Sequence, residues 1–126
     1  ICVRGRPCFH GYGGQSTDSS FLEGGWFNTG DLGYLDEDGY LFITGRSKEV
    51  INRGGEIISP MEVEEEVLQH PSVNACLAFS AVHDVLQEIV GIVIVPKPGV
   101  PRVDLPTLHV FLQERLATGK WPQCMI

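Results

Sequence analysis

Apolar positions change their spacing once along this chain, near residue 46. Before that point they come in short runs broken by glycine and acidic turns. Ile1-Cys2-Val3-Arg4 reads as the end of a strand. Gly11 to Ser20 is polar and glycine-rich, which predicts a loop. Gly33-Tyr34-Leu35 and Tyr40-Leu41-Phe42-Ile43-Thr44 flank Asp36-Glu37-Asp38-Gly39, a turn whose glycine can take positive φ, so they predict a β-hairpin. Glu49 to Asn52 suits one more short strand. Helical spacing appears only afterwards. Ser59 is placed to cap a helix, Pro60 fits its first position, and Glu62 would complete a Ser-x-x-Glu capping box. Val63, Val67 and Leu68 make its apolar stripe, and His70-Pro71 ends it. Val73 to Val82 and Ile89 to Val95 are continuous apolar runs of strand length, which suit strands covered on both faces. Asp84 to Glu88 connects them. Pro96 to Pro101 predicts a loop. Asp104 or Thr107 could cap a second helix running to about Ala117, with Leu108, Phe111, Leu112 and Leu116 on one face. Gly119-Lys120-Trp121-Pro122 closes it, and Gln123 to Ile126 looks like a strand beginning. The prediction is an α+β chain: a β-hairpin-rich part with no helix, then a small unit with a short sheet and two or more helices.

Composition narrows the function classes. The chain has 126 residues, 43% of them hydrophobic, enough for a core. Its net charge is −7, from 16 acids against 9 bases. That argues against nucleic-acid binding, which needs a basic face. No run approaches the roughly 20 apolar residues that cross a bilayer. No charged segment precedes an apolar run at the start, as a signal peptide requires. The Ile start suggests an excised piece. Cys2, Cys8, Cys76 and Cys124 form no C-x-x-C pair, and no histidine lies at zinc-finger spacing, so they predict four reduced thiols and an intracellular protein.

Several residues could carry chemistry. Asp31 follows Thr29-Gly30, and its carboxylate could meet both hydroxyls of a vicinal diol. An Asp after Gly more commonly caps its own turn, and spacing alone favours that. Arg46 ends a strand and could fork onto two oxygens, or pair with a nearby acid. Gly54-Gly55 lets backbone approach a ligand closely, or makes a plain tight turn. Arg53 could serve a phosphate by its charge. Other signals carry less. Arg4-Gly5-Arg6-Pro7 sits in an acidic chain, Gly11-x-Gly13-Gly14 is followed by no helix, and His83-Asp84 suits a turn better than a catalytic pair. Glu62, Glu64, Glu65 and Glu66 need no cation, because acids are favoured near a helix N-terminus.

Three segments in fixed order resemble one family. They are Gly25-Trp26-Phe27-Asn28-Thr29-Gly30-Asp31, Tyr40-Leu41-Phe42-Ile43-Thr44-Gly45-Arg46-Ser47-Lys48, and Arg53-Gly54-Gly55-Glu56-Ile57-Ile58-Ser59-Pro60. Together they resemble the adenylate-forming (AMP-binding) enzymes, and the third looks more like the acyl-CoA synthetase branch than the peptide-synthetase branch. The resemblance implies ATP contacts at Asp31, through the ribose hydroxyls, and at Arg46. It implies a hinge at Lys48, which needs backbone freedom and not a reactive side chain. It implies a CoA-facing loop at Gly54 and Gly55. Residues 1–47 would then end a large nucleotide-binding domain, and residues 48–126 would be most of a small swivelling domain.

The implied parent is an ATP-dependent acid–thiol ligase. It would form an acyl-adenylate from a carboxylic acid and ATP, with Mg2+, and pass the acyl group to CoA in the cytoplasm or peroxisome. The family's phosphate loop and acyl pocket would lie upstream, and its catalytic lysine beyond Ile126. Lys120 also follows a glycine, but Lys120-Trp121-Pro122 suits an earlier segment of the family. The chain alone is therefore expected to be inactive. Two alternatives stand: a module loading a phosphopantetheinyl carrier protein, and a non-catalytic domain kept for partner binding.

Overall fold

Glycines and acids set the turns of the first unit, and apolar alternation sets the core of the second. The computed structural model describes residues 1–9 and 20–126. The loop predicted at Gly11 to Ser20 lies outside the described residues, apart from Ser20. The chain divides into two compact units, Ile1–Lys48 and Glu49–Ile126.

The first unit is all β among its described residues. Strands β1 (Cys2–Val3), β2 (Phe21–Leu22) and β3 (Trp26–Asn28) form an antiparallel sheet in the order β1-β3-β2. Phe9, Phe21 and Phe27 meet edge-on or tilted, with ring centroids 5.0–5.9 Å apart. Arg4 lies over the Trp26 ring and donates to the Gly24 carbonyl. Strands β4 (Asp31–Leu35) and β5 (Leu41–Arg46) make the predicted hairpin. Its turn is held by Asp36, whose Oδ1 accepts from the amides of Asp38 and Tyr40, and by Gly39 at φ 84°.

The second unit is a five-stranded sheet with two helices. Strands β6 (Ile51–Arg53), β7 (Glu56–Ile58), β8 (Val73–His83), β9 (Gln87–Pro96) and β10 (Cys124–Met125) pair in the order β10-β9-β6-β7, with β8 on β9. Helix α1 (Pro60–Leu68) packs against β8. Helix α2 spans Leu105–Leu112, and Asp104 caps it by accepting from the Thr107 amide. The core is built from Ile51, Ile58, Val63, Val67, Val90, Ile92, Leu108 and Leu112, all fully buried. The α+β class is the one predicted.

Local expectations needed four corrections. The capping box does not form: Ser59 makes no side-chain cap bond, and Glu62 turns to the Lys120 ammonium instead. A full charge outbids the amide it would otherwise accept from. Leu68 is exposed, because α1 buries only Val63 and Val67. Helix α2 stops at Leu112, although Leu116 is still buried; Trp121 fixes it there by donating to the Leu116 carbonyl. Strand β8 is not covered on both faces. It pairs antiparallel with β9 and leaves Leu77, on the face opposite buried Ala78, 60% exposed, as one-sided antiparallel sheets do.

Among the described residues, no helix is long and apolar enough to cross a membrane. All four cysteines are free thiols. Burial, and then the Glu64 carboxylate, push the Cys76 thiol up to about 11.

Candidate functional site

Cross-strand register builds the first cluster. Asp31 opens β4 and Arg46 closes β5, and the two residues face each other across the ladder. Their side chains meet with Arg46 Nε 3.1 Å from Asp31 Oδ1. The Asp31 side chain is 25% exposed and that of Arg46 62%. This pairing spends one carboxylate oxygen and leaves Oδ2 without a hydrogen bond among the described residues. The sequence offered Asp31 a simpler fate, capping its own turn. The structure gives that work to its neighbours. Asn28 Oδ1 accepts from the Gly30 amide at 3.0 Å, and Thr29 Oγ1 accepts from the Asp31 amide at 3.1 Å. Gly30 turns at φ 78°, a conformation open to glycine at little cost. From the far side, the amide and hydroxyl of Ser47 both donate to the Gly30 carbonyl, at 2.8 and 3.0 Å. The Thr-Gly-Asp turn is thus clamped by its own side chains and by the end of β5.

Gly33 sets how closely the two strands approach. A methyl group added there would lie 2.4 Å from the Phe42 carbonyl oxygen. Register shifts between Leu32 and Gly33, so a bulge separates this close approach from the Asp31–Arg46 pair. Lys48 follows in an exposed turn and is the last residue of the first unit.

The second cluster is the Gly54-Gly55 hairpin between β6 and β7. Arg53 pairs with Glu56, and the two glycines make the loop at φ 58° and 99°. Positive φ at both loop positions suits the right-handed twist of the flanking strands. The Gly54 amide donates to the Leu86 carbonyl at 2.7 Å, and the Gly55 amide to Asn52 Oδ1 at 2.9 Å. Arg53 Nη1 lies 3.8 Å from Glu56 Oε2, and its Nε is buried with no partner among the described residues.

Asn52, Leu86 and Glu88 were missed from sequence. Asn52 adjoins the loop, but Leu86 and Glu88 come from a distant hairpin, the Asn52 amide bond to Glu88 Oε2 spanning 36 residues, and no local spacing marks such a contact. His83 ends β8, and Asp84 begins the turn to β9. His83 Nδ1 accepts from the Val85 and Leu86 amides, a turn role like the one predicted. Lys120 pairs with Glu62.

No family model matches this chain. Curated proteins and solved structures do. The chain is 40% identical to a probable CoA ligase of Humulus lupulus over 124 residues, covering 98% of the chain and 23% of that protein. It is 40% identical to the oxalate–CoA ligase of Arabidopsis thaliana, again over 98% of the chain and 24% of that protein. Among solved structures, the o-succinylbenzoate CoA synthetase of Bacillus subtilis, in complex with its acyl-adenylate intermediate, superposes with a TM-score of 0.90. That match has 32% identity and covers 99% of this chain and 25% of the other. The chain therefore spans about a quarter of the length of the relatives it matches.

Proposed function

Because this chain belongs to the acyl-CoA synthetase branch of the adenylate-forming superfamily, we infer that it is part of an ATP-dependent acid–thiol ligase. It would supply the ribose contact, the pivot and the thiol-facing loop. The observation that carries this reading is the Asp31–Arg46 pair on its clamped turn. Asp31 keeps Oδ2 for a diol while Arg46 holds Oδ1, so the carboxylate meets the ribose already oriented. Preset acceptors of this kind need no reorganisation when the substrate arrives. Arg46 would make the second contact to the nucleotide.

In the proposed reaction, an oxygen of the acid attacks the α-phosphorus of ATP. The bond to pyrophosphate breaks, leaving an acyl-adenylate. The sulfur of CoA then attacks the acyl carbon, and AMP departs with the oxygen it gained. Splitting one hard step into two is the usual gain of a covalent intermediate. Lys48 is the pivot between the two steps, and Gly54 and Gly55 face the pantetheine arm in the second. Mg2+ would accompany ATP. Among the described residues, no three of His, Cys, Asp or Glu come together to hold a metal, so these residues are assigned no metal step. CoA is favoured over a carrier-protein arm because the relatives named above are CoA ligases and a CoA synthetase.

Acid-dependent exchange of pyrophosphate into ATP, measured on the intact protein with a panel of carboxylic acids, tests the first step. CoA-dependent thioester formation tests the second. Exchange is expected with at least one acid and is expected to collapse in Asp31→Ala. Exchange unaffected by that substitution would refute the assignment. The 126 residues alone are expected to release no pyrophosphate.

A further inference from the structure

Two hairpin turns meet in the second unit, and one carbonyl and one carboxylate tie them together. The Leu86 carbonyl accepts from the Gly54 amide and from the Glu88 amide, both at 2.7 Å. The second bond closes a three-residue turn of the γ type centred on Gln87. Gln87 has φ 65°, and no other described residue except glycine has positive φ. A side chain with a Cβ disfavours that conformation, and it persists only where the surroundings hold it. Here Gln87 pairs across strands with Arg53. His83 Nδ1 takes the Val85 and Leu86 amides, which fixes the other half of the turn. Glu88 then reaches back, and its Oε2 accepts from the Asn52 amide at 2.6 Å in a half-buried position. Asn52 in turn accepts from the Gly55 amide through Oδ1. Both glycine amides are thereby engaged by this brace.

We propose that Glu88 is a positioning residue for the thiol step, acting through Asn52 to preset the Gly54-Gly55 loop. The proposal rests on the thiol-facing role given to that loop above. A pair of glycines has little conformational preference of its own and loses much entropy when ordered. An acceptor that must order the loop on binding binds less tightly by the fraction of time the loop is competent. A charged oxygen is a stronger acceptor than a neutral one, so Glu88 holds Asn52 more firmly than a neutral side chain would. Loss of the carboxylate leaves the Asn52 main-chain amide unpartnered and loosens the backbone from which the Asn52 side chain reaches Gly55. The adenylation step, assigned to Asp31 and Arg46, does not draw on this brace.

The test uses Glu88→Ala and Glu88→Gln in the intact protein, with the two half-reactions measured separately. Glu88→Ala is expected to raise the KM for CoA about tenfold or more, the size of one lost charge-assisted bond. Pyrophosphate exchange should stay within about twofold. Glu88→Gln keeps an accepting oxygen and should recover most of the loss. Hydrogen exchange at the Gly55 amide should quicken in Glu88→Ala, with no substrate present. An unchanged CoA KM, or an equal fall in both half-reactions that Gln does not restore, overturns the proposal. If wild-type protein exchanges pyrophosphate but forms no CoA thioester, the acceptor reading falls. Gly55 exchange then decides the brace by itself, and an unchanged rate in Glu88→Ala overturns it.

Discussion

Replacing Gly33 by alanine should damage the Asp31–Arg46 site without touching either residue. The added methyl would lie 2.4 Å from the Phe42 carbonyl oxygen and 3.1 Å from Ile1 Cδ1. Carbon and oxygen approach to about 3.3 Å even in the close contacts between strands, so the overlap is near 1 Å. The obstacle is backbone, so no rotamer change relieves it. The strands must part, or the bulge at Leu32 must shift. Overpacking of this kind costs about 1–3 kcal/mol. Opening the ladder by that overlap would also pull Arg46 Nε from 3.1 Å to beyond hydrogen-bond reach of Asp31. Gly39→Ala is the control. It has open space around it but φ 84°, so it bears only the strain of positive φ, about 1–2 kcal/mol, at the far end of the hairpin. In the intact protein, both variants should lower the thermal midpoint, but only Gly33→Ala should raise the KM for ATP. Equal ATP KM values in wild type and Gly33→Ala would refute the claim that strand spacing sets the site.

Three further outcomes follow from the second unit. His70 is held below its ordinary 6.5 by burial and then by Lys97, so the fold favours the neutral ring. The stability this gives is present above 6.5 and drains away as pH falls through the lowered value; His70→Asn should flatten that part of a stability–pH curve. Cys76 is raised from 9.0 to about 11, so its contribution is intact below 9.0 and is lost as pH climbs through about 11. Its alkylation at neutral pH should lag well behind that of exposed Cys2, and Glu64→Gln should narrow the gap, since Glu64 is the second cause after burial. Gln87→Gly should raise stability in denaturant titrations by up to about 1 kcal/mol, because relief of positive φ exceeds the entropy that glycine adds to the unfolded chain.

The hairpin at 31–46, both helices and the long strands were legible because turn residues and apolar runs are local signals. Asp36 and Gly39 announce their turn, and Asp104 its helix. Strands β2 and β3 were not, since Phe21–Leu22 and Trp26–Asn28 are too short for alternation to show. Strand β7 was hidden for the same reason, behind a glycine pair that looked like loop. Asp31 and Arg46 stood out in the sequence as candidates, but their pairing did not, because it depends on register across 15 residues. Glu88 and Asn52 carried no signal at all, and Gln87 occupies a conformation that a sequence marks only when glycine stands there.

Ribose recognition by Asp31 can be read out with substrate analogues. Pyrophosphate exchange by the intact protein should be compared for ATP, 2′-deoxyATP and 3′-deoxyATP, in wild type and Asp31→Ala. Wild type should prefer ATP over at least one deoxy analogue by about tenfold or more, since a site built to bond a hydroxyl rejects the analogue lacking it. In Asp31→Ala the three nucleotides should become nearly equal. Discrimination that survives the substitution undiminished would rule out Asp31 as the ribose contact.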